Sequence, residues 1–226
     1  FRTWGASSIG DAPDATISLI ANTKAAEFSR AILLVTAIQI DALADRETIS
    51  PGEDLPIVVK IYDPASRAKV LDVRLGWPNA RKVEPPAANP SAFRRETATS
   101  STYFSVHAYS EFIPTRPYWL MEKRTSDLFN WGFDASSKRY LPGQPFGEPV
   151  VTAQVDLEIA GKRLVFGAPV EFRYADDIRG EVRRDLNIVP AASVEMDQPL
   201  LIVPYSTKPQ TRQITMSVTN NSSMNV

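Results

Sequence analysis

The residues that most often carry out chemistry are scarce in this chain, which has one histidine, His107, and no cysteine. A single imidazole cannot form a zinc site that needs several histidines, and without thiols there is no cysteine nucleophile. Catalysis would have to depend on carboxylates, lysines or tyrosines. His107 lies in a strand-like run, where a histidine is more often exposed or hydrogen-bonded than a ligand. We therefore expect no catalytic residue, no metal site and no cofactor, and a scaffold or binding module rather than an enzyme.

The most conspicuous carboxylate pair is Asp176-Asp177, which lies beside Arg179, Glu181 and Arg183. Adjacent carboxylates could act as a dyad or bind calcium. Carboxylates that alternate with arginines more often form a solvated ion-pair cluster on a turn, and this is the interpretation we favour. A glycoside hydrolase that uses only carboxylates stays open, because two acids about 5–10 Å apart across a cleft cannot be recognised in a sequence.

Aromatic side chains are concentrated where the strand pattern breaks, between about 109 and 148. They are Tyr109, Phe112, Tyr118, Trp119, Phe129, Trp131, Phe133, Tyr140 and Phe146. A long loop this aromatic is not typical of disorder. Flat rings can stack on the apolar face of a sugar, and Trp119, Trp131 and Tyr140 are then the candidate glycan-binding residues. The alternative is a small satellite core that holds the long insertion on the sheet, and the sequence favours this structural interpretation.

Composition limits the partners of the chain. Its 226 residues carry 25 basic and 26 acidic side chains, which gives a net charge of -1. Binding to nucleic acid would need a clustered basic excess, so we expect no nucleic-acid partner. No apolar run reaches the roughly 18 residues of a membrane span, so we expect no membrane-spanning segment.

The elements that must position these residues are mostly strands. Apolar residues at three- and four-residue spacing predict a helix over 23–37, with its apolar stripe facing the core. Alternating apolar residues predict strands at 55–62 and 102–108, a hairpin of 150–159 and 163–174 about Gly161, and later runs at 200–203 and 213–219. The predicted fold is mainly β: an antiparallel sandwich of immunoglobulin or fibronectin type with one N-terminal helix and the aromatic insertion.

The chain begins with Phe1 and stops just after a strand-like run, so we expect it to be a piece of a longer protein.

Three stretches carry a resemblance to a known family. They are IDALADRETISPGEDLPIVVKIYD (40–63), PTRPYWL (114–120) and PVEFRYADDIRGEVRRDLNIVPAASV (169–194). Together they resemble the region that follows the catalytic domain in large bacterial PIG-L (LmbE-like) deacetylases. That catalytic domain is a Rossmann-like zinc hydrolase of N-acetylglucosamine-type substrates, with a His-Pro-Asp-Asp motif. Asp176-Asp177 lacks the preceding His-Pro, so no catalytic or metal residue carries over.

The resemblance implies that residues 1–37 are a helical tail or linker from an upstream catalytic domain, and that residues 38–178 are the sandwich with its insertion at about 109–148. Residues 179–226 would then be a linker and the opening strands of a following sandwich. The resemblance further implies a non-catalytic accessory region that packs against the catalytic domain of its own parent chain, or presents that domain to a glycan. It also implies an extracytoplasmic location, periplasmic or secreted, because such proteins look like exported ones. Two alternatives stay open. One is a purely structural or protein-interaction module with no ligand, and the other is a carbohydrate-binding module that uses the aromatic insertion.

Overall fold

The structure is a computed structural model that describes residues 15–85, 98–120, 123–128, 147, 149–198, 200–202, 205 and 208–222. One helix, α1 (Ala15–Thr36), precedes the strands. The strands are β1 (Gln39–Ala44), β2 (Thr48–Ile49), β3 (Asp54–Tyr62), β4 (Ala68–Leu75), β5 (Arg81–Val83), β6 (Ser100–His107), β7 (Thr152–Ile159), β8 (Lys162–Asp176), β9 (Gly180–Asp185), β10 (Asn187–Ile188), β11 (Ala192–Met196) and β12 (Met216–Asn220). The prediction of a mainly β protein with one N-terminal helix is confirmed.

Most strands belong to one eight-stranded sheet. Its order is β4-β7-β8-β1-β3-β6-β5, and β9 also pairs with β8. The expectation of a purely antiparallel sheet needs correction, because β1 runs parallel to β8 over Ala42–Ala44. The described chain makes six strands between these two, β2 to β7, and such a long crossover lets β8 return in the direction of β1.

The sheet is curled, because strands that follow each other in sequence lie at opposite ends of its order. β4 and β5 are the two end strands, yet only residues 76–80 join them. An ion pair links the same strands, with Lys82 Nζ 2.9 Å from Asp72 Oδ1. The sheet has two halves, β4-β7-β8 and β1-β3-β6-β5, and β8 connects them. The N-terminal part of β8 pairs with β7, and its C-terminal part pairs with β9 and β1. The result is a half-barrel.

The curled sheet encloses the main core through alternating side chains. In β3 the predicted face of Leu55, Ile57, Val59 and Ile61 is fully buried, as that alternation requires. Val58 is also fully buried on the other face, where it packs with Leu43 and the partly buried Tyr103 and Phe172. The sheet is therefore covered on both sides near β1 and β3.

The β7–β8 hairpin forms where the sequence predicts it. Its two-residue turn has positive φ at Ala160 (49°) and Gly161 (71°), the geometry of a type I′ turn. Glycine adopts such a φ without strain, which explains its place in the turn. Ala153, Val155 and Leu157 of β7 are fully buried in the main core.

α1 differs from its prediction in extent and in packing. It includes Ala15–Asn22 and so passes through the expected start at Thr23. It contacts the core through Ile32 and Leu33, near its C-terminal end. The expected core-facing stripe is wrong: Phe28 is 63% exposed and Val35 78% exposed. Among the helix side chains that the structure describes, residues 20–36, those packed against the core lie near this end, so periodicity identified the apolar residues but not the side that packs.

The strands after residue 178 belong to different sheets. β9 pairs with β8 and so belongs to the curled sheet, whereas β10 pairs in parallel with β2 in a separate two-stranded sheet. β11 and β12 form a separate two-stranded antiparallel ribbon. The division into segments at 37 and 178 stays a prediction.

Of the helical residues described, no stretch has the length and apolar character that crossing a membrane requires.

Candidate functional site

The residues expected to bind glycan are only partly within the described chain. Trp119 lies in a short 3₁₀ turn, Tyr118–Leu120, and is half-buried. Just before that turn, Thr115 exchanges two hydrogen bonds with Ile188, at 2.8 Å from its N–H and 3.0 Å to its hydroxyl. Trp131 and Tyr140 lie outside the described residues. The structure thus fixes the start of the insertion on β10, and the proposed trio of rings stays a prediction.

The first rings of the insertion pack on the main body. Phe112 lies 4.7 Å from Trp77 between ring centroids and 5.7 Å from Tyr109. Trp77 belongs to the core, and its Nε1 donates a hydrogen bond of 2.9 Å to the carbonyl oxygen of His107. At this end of the insertion the aromatic residues therefore form a satellite of the core, which is the interpretation that the sequence favours.

A polar group surrounds the outer edge of these rings. His107 Nδ1 lies 3.0 Å from Asp54 Oδ1, because β3 and β6 place the two residues directly opposite each other. The His107 ring meets Tyr109 edge to face at 5.2 Å. Tyr109 Oη accepts a 2.6 Å hydrogen bond from Asn79 Nδ2, and Asn79 sits in a left-handed turn with φ 55°.

This group, which we name the His107 cluster (Asp54, Asn79, His107 and Tyr109), has exposed polar atoms beside an aromatic ring. An imidazole held by a carboxylate can accept or donate protons, and the same set of groups can hydrogen-bond to ligand hydroxyls. The expectation that His107 is exposed or hydrogen-bonded is met on both counts. Sequence reasoning missed Asp54 and Asn79, because only the β3–β6 register and the turn after Trp77 bring them to the histidine.

A second polar group lies on β1, β8 and β9. Asp41, which is buried, accepts hydrogen bonds from Arg173 at 3.2 Å and Arg183 at 2.9 Å. Arg183 also reaches Glu171 at 3.1 Å and Glu181 at 2.9 Å. The favoured interpretation of a solvated cluster on the turn is therefore wrong for Arg183, because its pairs extend inward from the turn to a buried carboxylate.

Electrostatics in this Asp41 network are consistent with a structural role. Burial disfavours the charge on Arg183, but its bonds to Asp41, Glu171 and Glu181 outweigh burial and raise its pKa. Lys60, directly opposite Asp41 on β3, has a pKa lowered by burial and by the nearby Arg173. The network holds a buried carboxylate between cations on both neighbouring strands.

Asp176, the first of the two adjacent carboxylates, is bound by the backbone of its own turn. Asp176 Oδ1 accepts hydrogen bonds from the backbone N–H groups of Ile178 at 2.9 Å and Arg179 at 2.7 Å. These two bonds lower the pKa of Asp176, since they favour the charged carboxylate. Asp176 therefore caps the tight turn between β8 and β9. Among the residues that the structure describes, no three His, Cys, Asp or Glu side chains are grouped as a metal site would need.

Two groups of exposed apolar side chains stand out in the part of the chain that the structure describes. The outer face of α1 carries Ile20, Phe28, Leu34 and Val35. One face of the β11–β12 ribbon carries the cross-strand pairs Val194–Val218 and Met196–Met216. Exposed apolar side chains grouped on one face often mark a contact with another protein or domain.

No protein-family model, no curated protein and no solved structure matches the chain. The resemblance to PIG-L-type deacetylases therefore stays a prediction that depends on the sequence stretches alone.

Proposed function

We propose that this chain is a non-catalytic accessory β region of a larger PIG-L-like protein, and that it positions a neighbouring domain through the outer face of α1. The observation that carries the proposal is a helix that is fixed to the body at one end and apolar on its exposed side. Such a helix transmits the orientation of the body to whatever packs on it.

The attachment of α1 to the body is specific. The helix ends in a Schellman motif, in which the N–H of Ile38 bonds to Leu33 O at 3.0 Å and the N–H of Ala37 bonds to Leu34 O at 3.2 Å. Arg67, from the loop before β4, donates a 3.1 Å hydrogen bond to Val35 O. These bonds satisfy carbonyl groups that a helix end otherwise leaves to water, and they favour one orientation of the helix.

The outer face of α1 suits a protein partner. Ile20, Phe28, Leu34 and Val35 are all more than half exposed, and one ion pair, Lys24–Glu27, lies among them. Burying these four side chains would release about 1.5–3 kcal/mol for each that becomes fully buried. A polar surface would gain nothing comparable, so the apolar face favours a domain interface.

The test uses a PIG-L-type deacetylase domain of the same polypeptide, expressed separately and titrated with the 226-residue chain by calorimetry. Phe28→Lys and Leu34→Lys should each weaken binding at least about tenfold, because a lysine would enter an apolar contact. Asn22→Lys, an exposed position on the opposite side of the helix, is the matched control and should bind like the unmodified chain. Equal binding by all variants, or no binding by the unmodified chain, would refute the proposal.

We also propose that the curled sheet is an immunoglobulin-type sandwich. The support is the strand order, because β4-β7-β8 and β1-β3-β6-β5 follow the chain in the same way as strands C-F-G and A-B-E-D of that fold. An experimental structure with the two halves packed about 10 Å apart would agree with this proposal, and an open single layer would not.

A glycan-binding role is the second candidate, and the His107 cluster is the observation that favours it. Exposed carboxylate, imidazole and amide groups beside an aromatic ring are the chemistry that recognises sugar hydroxyls. If this role is correct, His107→Ala and Trp119→Ala should each reduce glycan affinity at least about tenfold while the thermal midpoint is retained. Ser101→Ala, exposed on the same strand β6, is the control. A fall in thermal midpoint with no glycan affinity would instead favour a purely structural module.

The proposed location is extracytoplasmic, and it follows only from the resemblance. It would be tested by fractionation of cells that carry the whole parent protein. Recovery of that protein in the cytoplasm would contradict it.

A further inference from the structure

The β11–β12 ribbon is sharply amphipathic. Its antiparallel register places Val194 opposite Val218 and Met196 opposite Met216, all on one face. These four side chains are 48–70% exposed. The other face is polar, with Ser193 opposite Thr219 and Glu195 opposite Ser217. A two-stranded ribbon is marginally stable by itself, so an uncovered apolar face of this kind favours association.

More apolar surface adjoins this face. A cleft of about 250 Å³ is lined by Met196, Leu201 and Ile214 together with Asp197, Gln198, Gln213 and Thr215. Further exposed apolar side chains of the same segment are Leu200, Ile202 and Tyr205. With roughly 100 Å² on each, the four ribbon side chains together with Leu201 and Ile214 of the cleft offer on the order of 600 Å² per copy, or ~1,200 Å² for two copies, which is the lower end of specific interfaces.

We propose that the apolar face of the β11–β12 ribbon is a self-association surface, which takes the same face of a second copy of this chain. A two-fold interface must be self-complementary, and a face of valine and methionine pairs satisfies that condition because none of those four side chains is charged. Glu195 lies on the opposite face and stays in water. The net charge of -1 also leaves little repulsion between copies.

This inference does not depend on the proposed role of α1, because it uses residues after 190 alone. The two surfaces can therefore fail or succeed separately. A self-associating accessory region would present its neighbouring domains in pairs.

Sedimentation equilibrium of the 226-residue chain tests the proposal, with Val218→Lys as the variant and Thr219→Lys as the matched control on the polar face of the same strand. The unmodified chain and Thr219→Lys should form dimers, and Val218→Lys should weaken the dimer at least about tenfold. Met216→Lys is a second variant on the apolar face, with the same expected result. Far-ultraviolet circular dichroism establishes that each variant is folded.

Three outcomes would overturn the proposal. In the first, the unmodified chain is a monomer at all concentrations. In the second, Val218→Lys and Thr219→Lys associate equally. In the third, Phe28→Lys rather than Val218→Lys abolishes the dimer. A monomer whose binding of an apolar dye is lost in Val218→Lys would assign the ribbon face to a different occupant, such as the second layer of another sandwich.

Discussion

The half-barrel and the β11–β12 ribbon use the same sequence pattern with opposite results. In β3, the alternating Leu55, Ile57 and Val59 are fully buried. In β12, the alternating Met216 and Val218 remain largely exposed. Alternation therefore tells which face of a strand is apolar, whereas burial depends on whether a second layer is present. The difference predicts where substitutions will be costly and where they will not.

The largest expected effect comes from the buried charge of the half-barrel. Asp41→Asn would leave Arg173 and Arg183 without the carboxylate that both bind, and breaking a buried ion pair costs about 3–5 kcal/mol of unfolding free energy. The exposed counterpart in the ribbon segment is Asp197, which bonds to the Ser217 hydroxyl at 3.2 Å. Asp197→Asn should change stability by less than about 0.5 kcal/mol. Urea titrations of both variants check the contrast, and similar losses would contradict it.

Truncation of apolar side chains should show the same contrast. Leu157→Ala removes a fully buried side chain from β7 and should cost about 2–5 kcal/mol, because a cavity remains. Val218→Ala in the ribbon should cost less than about 0.5 kcal/mol for a monomeric chain. The measurement is chemical denaturation at a concentration low enough to exclude association. A loss above 2 kcal/mol for Val218→Ala would mean that the ribbon face is already covered.

The smallest expected effect depends on pH. Asp45 follows β1, and burial raises its pKa above the ordinary 3.8, against the lowering effect of Arg46. The folded state therefore binds the proton more tightly than the unfolded state does. Above the folded pKa the buried carboxylate is charged, and this charge lowers the free energy of unfolding. Below the ordinary pKa of 3.8 the group is protonated in both states, so the cost disappears. Asp45→Asn should stabilise the chain at pH 7 by less than about 1 kcal/mol, and the gain should vanish near pH 3. Thermal melts of both chains across this range test the sign, and a gain that grows with acid would contradict it.

Short-range sequence patterns predicted much of the fold, whereas long-range pairing could not be read from them. The strands of β3, β6 and the β7–β8 hairpin follow from alternation and from Gly161. The parallel pairing of β1 with β8 has no local signal, because residues 42 and 170 meet only after the sheet has curled.

The candidate sites show the same limit. His107 was recognised as a satisfied histidine, but its partner Asp54 is 53 positions away and is set by register. Asp41 has no sequence signal, since an acidic residue in a short apolar strand is ordinarily expected at the surface. Trp77, which the sequence marks only as the end of a strand with Pro78, supplies the ring on which the insertion begins to pack.

The fifteen residues of β8 have a consequence for how the molecule comes apart. One continuous backbone contributes hydrogen bonds to β7 at its beginning and to β1 and β9 at its end. If β8 detaches from one half of the sheet, the other half also loses its hydrogen bonds to this strand. Both halves should therefore unfold together in one cooperative transition. Amide hydrogens of Leu157 and Val59, in different halves, should then exchange with deuterium at nearly the same slow rate.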